Sequence, residues 1–97
     1  PNVAAYVIAE IEVTDPATFD EYRPLAGSSV AQYGGTYVVR GGKTVSLEGG
    51  WNPGRIVVLQ FESVEAARTW YDSPEYQTCL PLRLASSKGK SIIVEGA

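Results

Sequence analysis

Two segments of the chain alternate as β-strands do and are apolar on both faces over part of their length. In Val3 to Val13 the odd-numbered residues form a wholly apolar face, while the other face begins apolar and ends with two glutamates. Arg55 to Glu62 repeats this pattern. The apolar side chains that begin the second faces are Tyr6, Ile8, Ile56 and Val58. A sheet built on these strands therefore needs a cover on each side.

A helix signal follows the first strand. Asp15 is a favourable N-cap before Pro16, which suits the first helical position. Apolar residues then recur at helical spacing and comprise Phe19, Tyr22, Ala26, Val30 and Tyr33. Pro24 predicts a kink or a local break in this helix, and Gly34-Gly35 predicts its left-handed end.

The second helical segment consists of two pieces. Ser63 can cap a helix that runs through Trp70 and Tyr71. Ser73-Pro74 then restarts the helix with a new cap and a proline at its first position. On one side of the second piece lie Tyr76, Leu80 and Arg83.

Shorter extended segments complete the pattern. Thr36 to Arg40 predicts a strand, and Thr44 to Leu47 resumes the extended path after a bend, as a bulged strand or a hairpin arm. Ser91 to Glu95 predicts the closing strand. The resulting order is that of a ferredoxin-like α+β fold, βαββαβ, with a four-stranded antiparallel sheet and its helices on one face. For 97 residues we expect one domain over 1–97.

Helices on one face of such a sheet leave its other face open. The large apolar residues that begin this second face would lie in water, which forgoes several kcal/mol at about 25 cal/mol per Å2. A second copy packed against the same face around a two-fold axis would cover all of them. We therefore expect a homodimer joined through the helix-free sheet face.

Composition excludes several classes of function. A net charge of -3 gives no basic surface for a phosphate backbone, so we expect no nucleic-acid partner. No apolar run approaches the roughly 18 residues of a membrane-spanning helix, and we expect a cytoplasmic protein without a membrane partner. With no histidine and a single cysteine, the chain lacks the usual ligands of zinc and haem and cannot form an internal disulfide. We therefore expect no metal and no cofactor.

Short distinctive motifs occur along nearly the whole chain. They include Val13-Thr14-Asp15-Pro16 after the first strand, Glu48 to Pro53, Tyr71-Asp72-Ser73-Pro74-Glu75-Tyr76 and Pro81-Leu82-Arg83. This set resembles the domain-of-unknown-function 1330 family. The resemblance implies a dimeric α/β-barrel of ferredoxin-like subunits, in a superfamily with cofactor-free monooxygenases, haem-degrading enzymes, decyclases and dehydratases. The family has no settled activity, so the motifs supply positions to test and no roles.

Arginines and aromatic residues near strand or helix ends are the candidates for binding a small molecule. They are Tyr22, Arg40, Arg55, Trp70, Tyr76 and Arg83. Converging arginines can hold a carboxylate, whereas ion pairs with nearby glutamates would make them structural. The aromatic residues either line a pocket or pack in the core, and helical spacing favours the core for Trp70. No catalytic residue can be named.

The placement of three of these candidates depends on helix geometry. Arg83 lies seven residues after Tyr76, about two helical turns, so both side chains can face one cleft together with Tyr22. Pro81 would prevent this if it turned the last part of the helix away.

Other reactive residues have a functional and a structural interpretation. Glu10 and Glu12 would serve as bases if burial at an interface raised a carboxylate pKa, but paired or solvated carboxylates are the alternative. Cys79 has no histidine base and is expected to be a buried helix residue. Trp51 is either a lid or a dimer contact. Pro1 has the secondary amine that tautomerases use as a base, and otherwise it simply follows a removed initiator methionine.

The leading hypothesis is a homodimer that binds a small organic acid or aromatic compound in a cleft of each subunit. Such a protein would be a cofactor-independent enzyme or a binding protein, and the sequence leaves this open. One alternative is a non-catalytic structural or regulatory interaction module in which the aromatic residues are all core. The other is a tautomerase that uses Pro1.

Overall fold

Strand pairing joins the chain into one antiparallel sheet. The structure is a computed structural model and describes residues 3–97. Its four strands are β1 (Ala5–Val13), β2 (Thr36–Arg40), β3 (Arg55–Phe61) and β4 (Ser87–Glu95). Their order across the sheet is β2-β3-β1-β4, which places the two predicted two-faced strands at its centre.

Three helices connect these strands. They are α1 (Pro16–Gln32), α2 (Val64–Asp72) and α3 (Pro74–Ser86). The predicted caps are confirmed: Asp15 accepts from the Thr18 amide, and Ser63 accepts from the Ala66 amide at 3.0 Å. Ser73 ends α2 and caps α3, as its spacing before a proline predicted. With α2 and α3 as the two pieces of the second helical segment, the ferredoxin-like fold is confirmed.

Several boundaries differ from the sequence predictions. Of the kink or local break predicted at Pro24, the break was wrong, because α1 is continuous through this residue. Pro24 lies on the exposed side of α1, where water can donate a hydrogen bond to the carbonyl that lacks an amide partner. The predicted strand at Thr44 to Leu47 was also wrong, since residues 41–54 form an irregular, largely exposed connection with no pairing partner. β4 begins at Ser87 rather than Ser91, because β1 pairs with it along its whole length.

The core lies between the sheet and the helices. The apolar face of β1 is buried there at Ala5, Val7 and Ile11, as the alternation predicted. Leu59 and Phe61 of β3 are buried on the same side. Within residues 3–97, no helix is long and apolar enough to cross a membrane.

The opposite sheet face carries a continuous apolar row. In the strand register Ile92, Ile8, Val58 and Val39 lie side by side across all four strands. Ile92 is 60% exposed, and Val94 beside Tyr6 is 41% exposed. Nothing in the described chain covers this row.

Gly35 is predicted to be required for close packing at the end of α1. A β-carbon at this position would lie 2.6 Å from Cζ of Phe61 and 2.8 Å from Cγ1 of Val30, and both neighbours are buried. Gly35→Ala should therefore lower the free energy of unfolding by about 1–3 kcal/mol. Gly42→Ala is the control, because no atom lies within 4 Å of its added carbon. Urea denaturation that found equal stabilities for the two variants would contradict this packing.

Candidate functional site

A cleft remains between the sheet and the helices, because α1 packs mainly against α3 rather than down onto the strands. Its floor contains Val7, Ala9 and Ile11 of β1 with Val57 and Leu59 of β3. Ala9 is the smallest of these side chains and leaves room above the centre of the sheet. The cavity has a volume of about 60 Å3, which is room for roughly four water molecules.

Aromatic side chains from all three helices form the roof. The residues concerned are Phe19, Tyr22, Trp70, Tyr71 and Tyr76. Neighbouring rings touch edge to face or tilted, with centroids 4.3 Å apart for Trp70 and Tyr76 and 6.3 Å apart for Tyr22 and Tyr76. The cleft therefore has one rigid apolar wall that suits a flat or unsaturated molecule.

The structure brings all six predicted candidate residues to this one cleft. They are Tyr22, Arg40, Arg55, Trp70, Tyr76 and Arg83. Pro81 does not turn the end of α3 away, and both Tyr76 and Arg83 are buried on the same side of that helix. Trp70 is also a core residue, as its spacing favoured, and its indole nitrogen donates to the Ser29 hydroxyl at 3.0 Å.

Arg83 is a buried cation at the inner part of the cleft. Arg83 is only 8% exposed, and no carboxylate within residues 3–97 forms an ion pair with it. Its Nε atom is fully buried and has no hydrogen-bond partner in that part of the chain. Arginine stays charged at any ordinary pH, so the site contains a desolvated donor without an acceptor.

Two tyrosine hydroxyls meet beside this guanidinium. The hydroxyl groups of Tyr22 and Tyr76 are 2.9 Å apart and share a hydrogen bond. Burial, followed by the neighbouring Tyr76, raises the pKa of Tyr22 well above its usual range. Burial also raises the pKa of Tyr76, although its hydrogen bond with Tyr22 and the charge of Arg83 oppose this. Both phenols are neutral near pH 7 and can donate or accept hydrogen bonds, but neither is a base.

A β-bulge determines where Arg40 points. Tyr37 pairs with Leu59 and Arg40 pairs with Val57, so the extra residue between them places both side chains on the helix side of the sheet. Without the bulge, residues three apart would face opposite sides. The Arg40 guanidinium lies 4.2 Å from the centre of the Tyr37 ring, at the mouth of the cleft.

The distribution of charge in the cleft is one-sided. Four of the five arginines line it, with Arg23 the fourth, and no acidic residue of the described chain does. Within residues 3–97, Arg23 is the one arginine of these four with a carboxylate partner, since its guanidinium is 3.3 Å from the Asp20 carboxylate. A protein of net charge -3 thus concentrates positive charge at one cavity, which favours an anionic occupant.

The remaining candidates lie outside the cleft. Glu10 is on the opposite sheet face, where its carboxylate accepts from the Gly54 amide at 3.3 Å and lies 3.8 Å from Lys90. Glu12 is exposed on that same face. Cys79 is buried, donates to the Tyr76 carbonyl at 3.2 Å, and burial raises its thiol pKa. Trp51 is 63% exposed in the β2–β3 connection.

Two further predictions concern reactive groups and metals. Pro1 lies outside the described residues. In the part of the chain that the structure describes, no group of three or more histidine, cysteine, aspartate or glutamate side chains could hold a metal ion.

Sequence reasoning missed three contributors to the cleft. Tyr37 had no signal, because the bulge that turns it and Arg40 to one side is not visible in the alternation. Ala9 was predicted only as part of an apolar face, although its small size is what leaves the space. Arg23 could have been found, since it lies one residue after Tyr22 on the cleft side of α1.

The fold and the cleft define a class of ferredoxin-like α+β proteins with a pocket between the sheet and its helices. The chain belongs to the family described as Domain of unknown function (DUF1330), whose model matches residues 4–97. A search of curated proteins finds no match to the sequence.

Solved structures with the same fold include proteins of known and unknown function. A protein of unknown function from Rhodopseudomonas palustris has a TM-score of 0.80 at 14% identity, over 100% of this chain and 85% of that one. SnoaB, a cofactor-independent oxygenase from Streptomyces nogalater, has a TM-score of 0.70 at 14% identity, over 98% and 94% of the two chains. A dimeric protein of ferredoxin-like fold from Bacteroides fragilis has a TM-score of 0.64 at 8% identity, over 95% of each chain. At these identities the likeness shows the fold.

The buried tyrosine pair predicts a pH dependence of stability. An unfolded chain ionises its phenols near pH 10, whereas the folded protein keeps Tyr22 protonated at that pH. The unfolded state then binds fewer protons, so the free energy of unfolding should fall as the pH rises above about 10. Tyr22→Phe should make this fall shallower by up to about 1.4 kcal/mol per pH unit.

Urea denaturation between pH 8 and pH 11.5 measures this slope. Ser28→Ala is the control, because it changes an exposed residue of the same helix and removes no phenol. Equal slopes for the wild type and Tyr22→Phe would show that the Tyr22 phenol is not protected from ionisation.

Proposed function

We propose that the protein binds a small organic acid in the cleft, with the carboxylate against Arg83 and the carbon skeleton against the aromatic roof. The observation that carries this proposal is the buried Arg83 guanidinium, which has no carboxylate partner in residues 3–97. Burial of an unpaired charge costs stability, and a bound carboxylate would remove that cost.

The surroundings of Arg83 support a carboxylate as the bound group. A guanidinium presents parallel N–H donors that match the two oxygens of a carboxylate. The neutral hydroxyls of Tyr22 and Tyr76 lie beside it and supply a further donor. The buried Arg83 cation balances the single negative charge of one carboxylate.

The rest of the cavity supports a small and largely apolar skeleton. Its walls are mostly aliphatic and aromatic, and its polar groups are few and lie close together. Its volume of about 60 Å3 suits a small compound rather than a large one.

The cleft supports binding and orientation more directly than proton transfer. Its lining within residues 3–97 includes no acidic side chain, and its phenols stay protonated near pH 7 and so cannot act as bases. A reaction in this cleft would therefore use the reactivity of the bound acid itself. SnoaB, a cofactor-independent oxygenase of the same fold, supports the possibility of chemistry without a cofactor.

Loss of the Arg83 charge should weaken binding and leave the fold intact. Arg83→Met removes the cation and retains an apolar chain, so affinity for a small acid should fall by about 10- to 100-fold. The free energy of unfolding should stay the same or rise, since an unpaired buried charge is removed. Arg68→Met is the matched control, because Arg68 is exposed, outside the cleft and paired with Asp72 at 2.9 Å.

Calorimetry and thermal shift with benzoate, salicylate, butyrate and crotonate measure these effects. A bound acid at 100 times its dissociation constant should stabilise the wild type by about 2.7 kcal/mol. Absence of binding by all four acids would contradict the proposal and favour a purely structural module. Equal affinities of the wild type and Arg83→Met would exclude Arg83 as the anion site.

We also propose that the protein is a homodimer joined through its helix-free sheet face. The apolar row of Ile92, Ile8, Val58 and Val39 supports this, because it crosses the whole sheet without a cover in the described chain. A standard interface buries about 800 Å2 per partner, which a four-stranded face of this kind can supply. The protein of ferredoxin-like fold from Bacteroides fragilis is dimeric, which supports a dimer for this chain.

A charge at the centre of the apolar row should prevent dimerisation. Ile8→Lys would place an ammonium group opposite the same row of a second copy, where it could not be hydrated. We expect a monomer near 10.4 kDa by light scattering at micromolar concentration, against a dimer for the wild type. Glu65→Lys, an exposed change on α2, should remain dimeric. A wild-type monomer, or a dimer that tolerates Ile8→Lys, would contradict this interface.

A further inference from the structure

Two arginines at the mouth of the cleft are held in fixed positions. Arg40 stacks on the Tyr37 ring at 4.2 Å and reaches across to α1, where a β-carbon on Gly27 would lie 3.6 Å from its Nη2 atom. Arg55 lies against Gly41, where a β-carbon would come within 2.6 Å of the guanidinium carbon. Gly41 also has a positive φ of 70°, a conformation that favours glycine. The missing β-carbon at this position leaves room for the Arg55 guanidinium.

The sheet register places these two arginines next to each other. Arg40 is opposite Val57, and Arg55 lies two residues before Val57 on the same face of β3. Such diagonal neighbours have their backbones about 7–8 Å apart, within reach of long side chains. Both side chains line the same cleft, so the register allows one small anion to lie between the two guanidinium groups.

Neither guanidinium has an acidic partner. Within residues 3–97, no carboxylate lies within ion-pair distance of Arg40 or Arg55. Neighbouring like charges on a sheet destabilise the fold. The β-bulge and Gly41 nevertheless place both cations toward the cleft, where an anion bound between them would offset this repulsion.

The three cleft arginines without a carboxylate partner in residues 3–97 therefore form two groups that differ in exposure. Arg83 is buried, whereas Arg40 is exposed and Arg55 is half-buried. The apolar floor at Ala9 and Val57 lines the same cleft. A compound with one carboxylate would satisfy Arg83 and leave the pair at the mouth unmatched.

We propose that the ligand is a small dicarboxylic acid, with one carboxylate at Arg83 and the second between Arg40 and Arg55. This inference rests on the proposed function, in which Arg83 binds the first carboxylate. The second carboxylate lies at the open mouth, where it stays partly hydrated and therefore has a smaller free-energy cost of desolvation. The mouth pair then acts as the determinant that selects diacids over monoacids.

Matched pairs of acids test this selection by titration calorimetry. One set is benzoate with isophthalate and terephthalate, and the other is butyrate with glutarate. The proteins are the wild type, Arg40→Gln, Arg55→Gln and Arg83→Met, with Arg68→Gln as the control for loss of a charge elsewhere. Circular dichroism melting tests whether each variant is folded. A further variant, Gly41→Ala, displaces Arg55 without removing its charge.

In at least one set, we expect a diacid to bind the wild type about tenfold more tightly than its monoacid. Arg40→Gln and Arg55→Gln should each remove most of this preference and leave monoacid affinity within about twofold. Arg83→Met should weaken both kinds of acid, and Arg68→Gln should weaken neither.

Two results would overturn the inference while leaving the proposed function intact. One is equal affinity for monoacid and diacid in both sets. The other is an equal loss for monoacid and diacid in the variants of the mouth pair. Absence of binding by every acid would instead contradict the proposed function on which the inference rests.

Discussion

The two central strands impose the main constraint on this structure, because β1 and β3 carry apolar side chains on both faces. On one side the three helices cover them and form the core. That cover is incomplete, because α1 packs mainly against α3 and a small residue, Ala9, lies beneath the gap. On the other side the apolar row through Ile8 and Val58 has no cover in the described chain. The same strands thus create both the cleft and the surface assigned to a second copy.

The chemistry of the cleft depends on an imbalance of charge. Three guanidinium groups face it without a carboxylate partner in the described residues, and the nearest polar neighbours of the inner one are the neutral phenols of Tyr22 and Tyr76. A cavity built only for packing would gain stability from apolar residues at these positions. The proposed anion site rests on these charges, since a binding site can sacrifice stability for recognition.

Local signals predicted much of this structure. The alternation of β1 and β3, the caps at Asp15 and Ser63, and the proline after Ser73 each act within a few residues, and all are confirmed. The seven-residue spacing of Tyr76 and Arg83 likewise placed both on one side of α3.

Features that depend on distant partners were not predictable in the same way. The bulge between Tyr37 and Val39 arises from pairing with β3, so the direction of Arg40 could not be derived from its own segment. Thr44 to Leu47 has strand-like composition and no strand beside it, which is a property of the whole sheet. The absence of acidic residues among the described lining of the cleft depends on seven elements together.

Nuclear magnetic resonance of the Arg83 side chain tests the central claim most directly. The Nε–Hε group of Arg83, assigned by loss of its signal in Arg83→Met, has no acceptor within the described chain. On titration with an acid that stabilises the protein, this signal should shift downfield until the site is saturated. Exchange of the Hε proton with water should slow, because a carboxylate accepts its hydrogen bond. A signal that stays unchanged while the acid binds would contradict the assignment of Arg83 as the anion site.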